Sequence, residues 1–174
     1  TGGTQAASLD GLFLNSVTMQ VASASEAPGV DGVEKLTLGV DSGAAVTIIP
    51  RGVCLDYPLK PNEESRRGGF YRAANGNKII DEGTREIFFK HLHGGQLGGL
   101  RPGVGDVSKG LVSVAEMVDS GHRVIFDSAA SGGSYAEHKE TGRRTPFIRR
   151  SKVFEIDVAV VPFSESPGIG QAQP

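Results

Sequence analysis

The chain has 174 residues, a formal net charge of −2 and 38% apolar residues, enough for one domain with a core of its own. So small a charge places no demand on the chain to meet nucleic acid or an anionic membrane. The lone cysteine, Cys54, excludes an internal disulfide and fits a reducing compartment, and no apolar run reaches membrane-spanning length or opens the chain as a signal peptide. Thr1 in place of Met points to a piece of a longer reading frame or a processed product. The 25 glycines, with 6% aromatics and no Trp, imply a turn-rich β protein with a modest core, which an oligomer interface would help to stabilise.

Residues 1–11 are small and polar and are expected to fray. Alternating apolar residues at 12–21 read as a strand, followed by a loop of Ala, Ser, Gly and Pro over 22–32. Residues 33–40 read as a second strand and the β-branched run 45–49 as a third, stopped by Pro50. Residues 58–69 are charged and expected to be exposed. Residues 70–89 read as a hairpin and its continuation, with Asn75-Gly76 supplying two residues that tolerate positive φ in a tight turn. Residues 91–105 read as a glycine-rich loop. The run 111–117 starts apolar and then suits one short helix, which Gly121 would end in the left-handed region. Residues 122–127, 134–138, 145–149 and 153–161 read as strands, and 163–174 as a disordered tail. No internal repeat is visible.

The sharpest feature is Asp41-Ser42-Gly43-Ala44 between two apolar, β-type runs. An Asp-[Ser/Thr]-Gly-Ala tetrapeptide is expected by chance in under about 1% of chains of this size. A carboxylate in a tight turn between buried strands sits in a low-dielectric site. The Ser hydroxyl can brace the turn, Gly43 leaves room for a partner group and a water, and Ala44 keeps the floor small. The bland reading is a surface Asp-Ser-Gly β-turn. Peptide hydrolysis by this route needs two carboxylates sharing a proton, one acting as base on water and one as acid toward the carbonyl oxygen. Asp119-Ser120-Gly121 has similar letters but follows the helical stretch and reads as its C-terminal turn. The second carboxylate is therefore expected from an identical chain, with two Asp41 side chains facing each other across a two-fold axis.

The stretch Leu38-Gly39-Val40-Asp41-Ser42-Gly43-Ala44 resembles the active-site strand of retropepsins, especially the Asp-Ser-Gly-Ala form of copia-type retrotransposon proteases. Tyr71-Arg72-Ala73-Ala74-Asn75-Gly76-Asn77-Lys78-Ile79-Ile80 with Gly83 is similar to the hairpin these proteases carry after the catalytic turn. Lys109-Gly110-Leu111-Val112-Ser113-Val114-Ala115-Glu116-Met117 resembles the segment before their short helix, and His122-Arg123-Val124-Ile125-Phe126-Asp127 the strand after it. The resemblance spans roughly residues 36–127. It implies a mainly β, retropepsin-like closed barrel with one short helix, a half-site completed by homodimerisation. It implies Asp41 as catalytic acid and base, Ser42, Gly43 and Ala44 as the active-site turn, and Ala73, Ala74, Asn75 and Gly76 as a flap that binds substrate. The chain departs from the family in three places. The position of an Ile-Leu-Gly-type triplet reads Leu111-Val112-Ser113, the span 50–69 is long and charged, and residues 128–161 extend beyond a minimal retropepsin. The expected layout is a flexible segment at 1–11, a protease domain at 12–161 (core 33–127, β extension 128–161) and a flexible tail at 162–174.

Other candidates are weaker. His91 and His93 could bind metal from one strand face, but an exposed loop pair is the plainer reading, and His122 and His138 show no partner motif. Cys54 reads as a small buried residue rather than a nucleophile. Around Ser42, Val40 and Ala44 stand where chymotrypsin-type serine proteases carry Gly before and after Asp-Ser-Gly, and the glycines at 94, 95, 98 and 99 lack phosphate-loop spacing. Arg143, Arg144, Arg149 and Arg150 form a local basic patch whose default is a solvated strand face. The expectation is an aspartic endopeptidase that cleaves its parent retrotransposon-type polyprotein. It would use no metal and no cofactor, pair with a second copy of itself, act on a polypeptide substrate away from membrane and nucleic acid, and work in the cytoplasm or in virus-like particles there. The alternative is an inactive retropepsin-like module kept for dimerisation or peptide binding. A structural spacer would be favoured by an Asp41 exposed on an open turn.

Overall fold

The computed structural model describes residues 32–167. The expectations for residues 1–11, 12–21 and 168–174, and for all but the end of the 22–32 loop, fall outside the described residues. The described chain is mainly β. Its principal sheet runs through β1 (Lys35–Asp41), β2 (Ile48–Pro50), β5 (Ile87–His91), β6 (Leu97–Leu100), β7 (Gly103–Gly105), β8 (Gly110–Ser113), β12 (Ile148–Arg150) and β13 (Val153–Val160), in the order β6-β5-β13-β1-β8-β2-β7 with β12 on β13. The end strands β6 and β7 do not pair with each other among the described residues, so the sheet curls into a half barrel rather than a closed one. β3 (Phe70–Arg72) and β4 (Lys78–Ile80) form a separate hairpin, and β9 (His122–Ile125), β10 (Tyr135–His138) and β11 (Arg144–Pro146) a three-stranded sheet.

β1 holds the centre. It pairs antiparallel with β13, Leu38 opposite Ile156, and parallel with β8, Asp41 opposite Ser113. Alternation along these strands sends Leu38, Val112, Ile156, Val158 and Val160 into the core with Ile49, Phe89 and Val104. The segment 128–161, expected as an extension, thus supplies a central strand of the main sheet. β1 begins two residues later than its pattern suggests, and β2 begins at Ile48 because the Thr47 amide is taken by the Glu116 carboxylate at 3.0 Å.

Four further expectations are corrected. Residues 91–105 are not a loop: they carry β6 and β7, and the glycines make wells for large neighbours. A Cβ on Gly98 would lie 2.6 Å from the Phe89 ring, so only glycine lets that ring cross the strand. The charged span 58–69 holds a short helix, α1 (Glu63–Arg66), in addition to the expected one, α2 (Val114–Asp119). Asn62 caps α1 through the Ser65 amide at 2.7 Å, with the Ser65 hydroxyl accepting from the Asn62 amide, a reciprocal box inside a segment read as merely charged. Finally, 162–167 is packed: Tyr57, itself buried, donates to the Val161 carbonyl at 2.6 Å and meets the Phe163 ring edge-on at 5.3 Å. The expected strand at 145–149 is divided at Phe147, whose buried side chain turns into the core between β11 and β12.

Candidate active site

Asp41 ends β1 at the point where the chain leaves the sheet. Its side chain is half-buried, and Oδ1 accepts from the Gly43 amide at 2.7 Å, which fixes the carboxylate against its own turn. Ser42 and Gly43 are exposed and Ala44 half-buried. Among the described residues, the bonds that hold this turn come from the Gly43 amide and from a residue far along the chain. Ser113 Oγ donates to the Ala44 carbonyl at 2.7 Å.

Ser113 is also the N-cap of α2, accepting from the Glu116 amide at 3.3 Å. Ser113 and Glu116 have the Ser-x-x-Glu spacing of a capping box, but Glu116 does not reach back to its own cap. Its carboxylate takes the Thr47 amide, while Thr47 Oγ1 accepts from the Ser113 amide at 3.0 Å. Thr47 thus stands in the middle of a shared box that locks the turn after Asp41 to α2. Ser113 and Thr47 are fully or almost fully buried. The Ser-x-x-Glu spacing was legible in the sequence; the part played by Thr47 was not, because it depends on the antiparallel pairing of β2 with β8.

The hairpin of β3 and β4 forms a second wall. Gly76 donates to the Ala73 carbonyl at 2.8 Å and has φ of 84°, so the tip is a four-residue turn in which Gly76 alone carries a positive φ. Asn75 acts instead through its side chain, accepting from the Asn77 amide at 3.0 Å. One face of the hairpin is seated on β7: a Cβ on Gly103 would lie 2.6 Å from the Tyr71 hydroxyl, and one on Gly105 would lie 2.7 Å from Ile79. The base is pinned by Asp81, which is buried and accepts from the Gly83 amide at 2.8 Å and from Asn62 Nδ2 at 3.3 Å. Burial, together with the Asp81 carboxylate to which it hydrogen-bonds, pushes the Tyr71 phenol up to about 12. Gly83, at φ of 116°, lies where a Cβ would be 2.6 Å from the Lys60 carbonyl, so the hairpin leaves the body through a position that takes no side chain.

Between hairpin and turn lies an open groove of about 990 Å³. Asp41, Gly43 and Ala44 line it on one side and Ala73, Ala74 and Asn75 on the other, so the residues singled out from the sequence border one space, apart from Ser42 and Gly76. Val46, Ile48 and Leu111 give it an apolar floor; Arg72, Lys78, Asp106 and Lys109 put charge on it. Comparison with protein-family models, curated proteins and solved structures yields no match. The site's chemistry therefore has to be read from its own geometry.

The remaining candidates lie elsewhere. His91 is not in an exposed loop: it is buried in β5, its ring edge-on to Phe89 at 5.1 Å, whereas His93 is half out in solvent beside Asp157 at 3.2 Å. The two point to different environments, and among the described residues no group of three or more His, Cys, Asp or Glu could hold a metal. His122 and His138, which lacked a visible motif, sit directly opposite each other on β9 and β10 with rings 5.1 Å apart. Cys54 is buried as expected, and burial pushes its thiol up to about 12, so it is a neutral packing residue. Among the described residues no helix is long and apolar enough to cross a membrane.

Proposed function

We propose that the chain is one half of a retropepsin-like aspartic endopeptidase whose second half is another copy of itself. The observation that carries this reading is the placement of Asp41: a carboxylate held by the Gly43 amide in a braced turn, on the wall of a groove that a tight-tipped hairpin faces. The turn is neither open nor unsupported, which weighs against a mere spacer. In the assembled enzyme two Asp41 carboxylates would share one proton, one taking a proton from water as it attacks the peptide carbonyl and the other giving a proton to the carbonyl oxygen. Like charges at that distance cannot both ionise, so activity should follow a bell-shaped pH profile belonging to the pair. The hairpin would hold an extended peptide by backbone hydrogen bonds and exclude water over it. The other groove carboxylate, Asp106, is exposed and within 3.6 Å of Arg51, a poor setting for sharing a proton with Asp41. The substrate of such an enzyme would be junctions of the polyprotein that encodes it.

Asp41→Asn tests the reading. The amide keeps an acceptor for the Gly43 N–H, so the fold should be unchanged by circular dichroism. Cleavage of a polyprotein junction should fall by at least about a hundredfold, and sedimentation should show a dimer in both proteins. Full activity of the variant would reject the mechanism; an active enzyme that sediments only as a monomer would reject the shared site.

A further inference from the structure

Arg72 and Lys78 face each other across the hairpin, paired in register on β3 and β4. Like charges directly opposite in a sheet are unfavourable, and the usual relief, an internal carboxylate, is missing here. Among the described residues neither cation is in an ion pair, whereas the groove's third cation, Lys109, is matched by Glu155, and Asp106 lies beside Arg51. Both instead lie over the ring of Phe70, Lys78 Nζ at 4.4 Å from its centroid and the Arg72 guanidinium carbon at 5.3 Å. Phe70 itself remains 41% exposed. The ring holds the two cations side by side on the groove wall. We infer that this pair is a subsite for a carboxylate side chain, so that the groove selects extended peptides carrying an acidic residue near the apolar residue that Ile48 and Leu111 receive.

This rests on the peptide-binding part of the reading above and adds a substrate class to it. A peptide is favoured over a polynucleotide because the same groove carries Asp41 and Asp106, which would oppose a run of phosphates but leave a single, offset carboxylate free to reach the hairpin.

The test uses the full chain and three fluorescein-labelled peptides that share a Leu-Phe centre and differ only in a flanking pair, Glu-Glu, Gln-Gln or Lys-Lys. Binding is measured by anisotropy on Asp41→Asn and cleavage on the unmodified protein. The Glu peptide should bind about fivefold more tightly than the Gln peptide, the Lys peptide more weakly than either, and the preference should shrink in high salt. R72E/K78E, a change at two exposed positions, should reverse the order. Equal binding of all three peptides, or a preference that the double variant leaves unchanged, overturns the inference. So does a single-stranded oligonucleotide that binds more tightly than the Glu peptide. Cleavage without charge preference overturns the subsite and leaves the peptidase standing. Charge-selective binding without cleavage supports the subsite and counts against the peptidase.

Discussion

Ser113 and Ala44 are joined by a 2.7 Å hydrogen bond from the Ser113 hydroxyl to the Ala44 carbonyl, which makes the turn after Asp41 and the start of α2 a single mechanical unit. The same hydroxyl caps the helix, so one oxygen serves two backbone groups. Ser113→Ala removes the cap and leaves the Ala44 carbonyl without its donor. The expected loss is about 2 kcal/mol by urea unfolding, and under the proposed function peptide cleavage should fall by more than the fraction unfolded would explain. A variant as stable as the parent would show the brace to be dispensable.

The exit of the hairpin at Gly83 is the second weak point. At φ of 116°, and with the Lys60 carbonyl in the space a Cβ would take, Gly83→Ala must move backbone rather than a side-chain tip. The expected cost is about 3 kcal/mol, combining left-handed strain and overpacking. Gly76→Ala at the tip, where nothing lies within 4 Å, should cost about 1 kcal/mol. Comparable thermal shifts for the two variants would contradict this ordering.

A charged network covers the solvent face of β13. Arg150 reaches Asp157 and Glu155, each at 3.0 Å through Nη1, Lys109 meets Glu155, and Thr37 donates to Asp157 at 2.8 Å. Arg150, with Thr37 and His93 assisting, holds the Asp157 carboxyl well below the usual carboxylate range, and Lys109 with Arg150 lowers that of Glu155. Arg150→Met strips the bridging cation from two buried carboxylates. The variant should unfold at a lower urea concentration, with a smaller shift than for a fully buried pair because Arg150 is itself 46% exposed. Combining it with Asp157→Asn should restore part of that stability, as a double-mutant cycle would measure.

Acid should weaken the fold before it protonates those carboxylates. Burial holds His91 and His122 near 4 against an ordinary 6.5, with Arg143 adding to the effect on the first and His138 on the second. Between those values the unfolded chain binds protons that the folded chain refuses. Stability therefore falls as pH drops from 6.5 to about 4, by on the order of 3 kcal/mol per histidine at the end of the window. Below about 4, Glu155 and Asp157 extend the loss, because their depressed values make the unfolded state the better proton acceptor. The Tm should decline from pH 6.5 downward, and His122→Gln should remove about half of the slope between 6.5 and 4.5. A flat Tm across that range would contradict the argument. The acid limb of any activity profile has to be corrected for this unfolding.

Much of the architecture was readable from local pattern. The alternation of residues 33–40 and the Gly121 stop, found at φ of 86°, follow from nearest-neighbour chemistry, whereas of the β-branched run 45–49 only Ile48 and Ile49 are strand, and β2 takes in the Pro50 expected to stop it. The groove's edges were likewise marked by Asp41 and the Ala73 to Asn75 turn. Long-range partners were not readable. Glycines at 98, 103 and 105 looked like loop because their use, to receive Phe89, Tyr71 and Ile79, exists only once those strands are side by side. Thr47 and Asp81 looked like ordinary polar residues because their partners lie across chain crossings. Arg72 and Lys78 were read as letters of a hairpin motif, and their opposition required the register of β3 on β4.

The last long strand has a consequence for synthesis. β13 flanks β1 along residues 35–39 and lies between it and β5, so the strand that carries Asp41 has no neighbour on that side until residue 153 and its successors have left the ribosome. A nascent chain would therefore lack an aligned groove through nearly the whole of this stretch, and a product ending before β13 would carry every signature residue of the groove without the scaffold that aligns them.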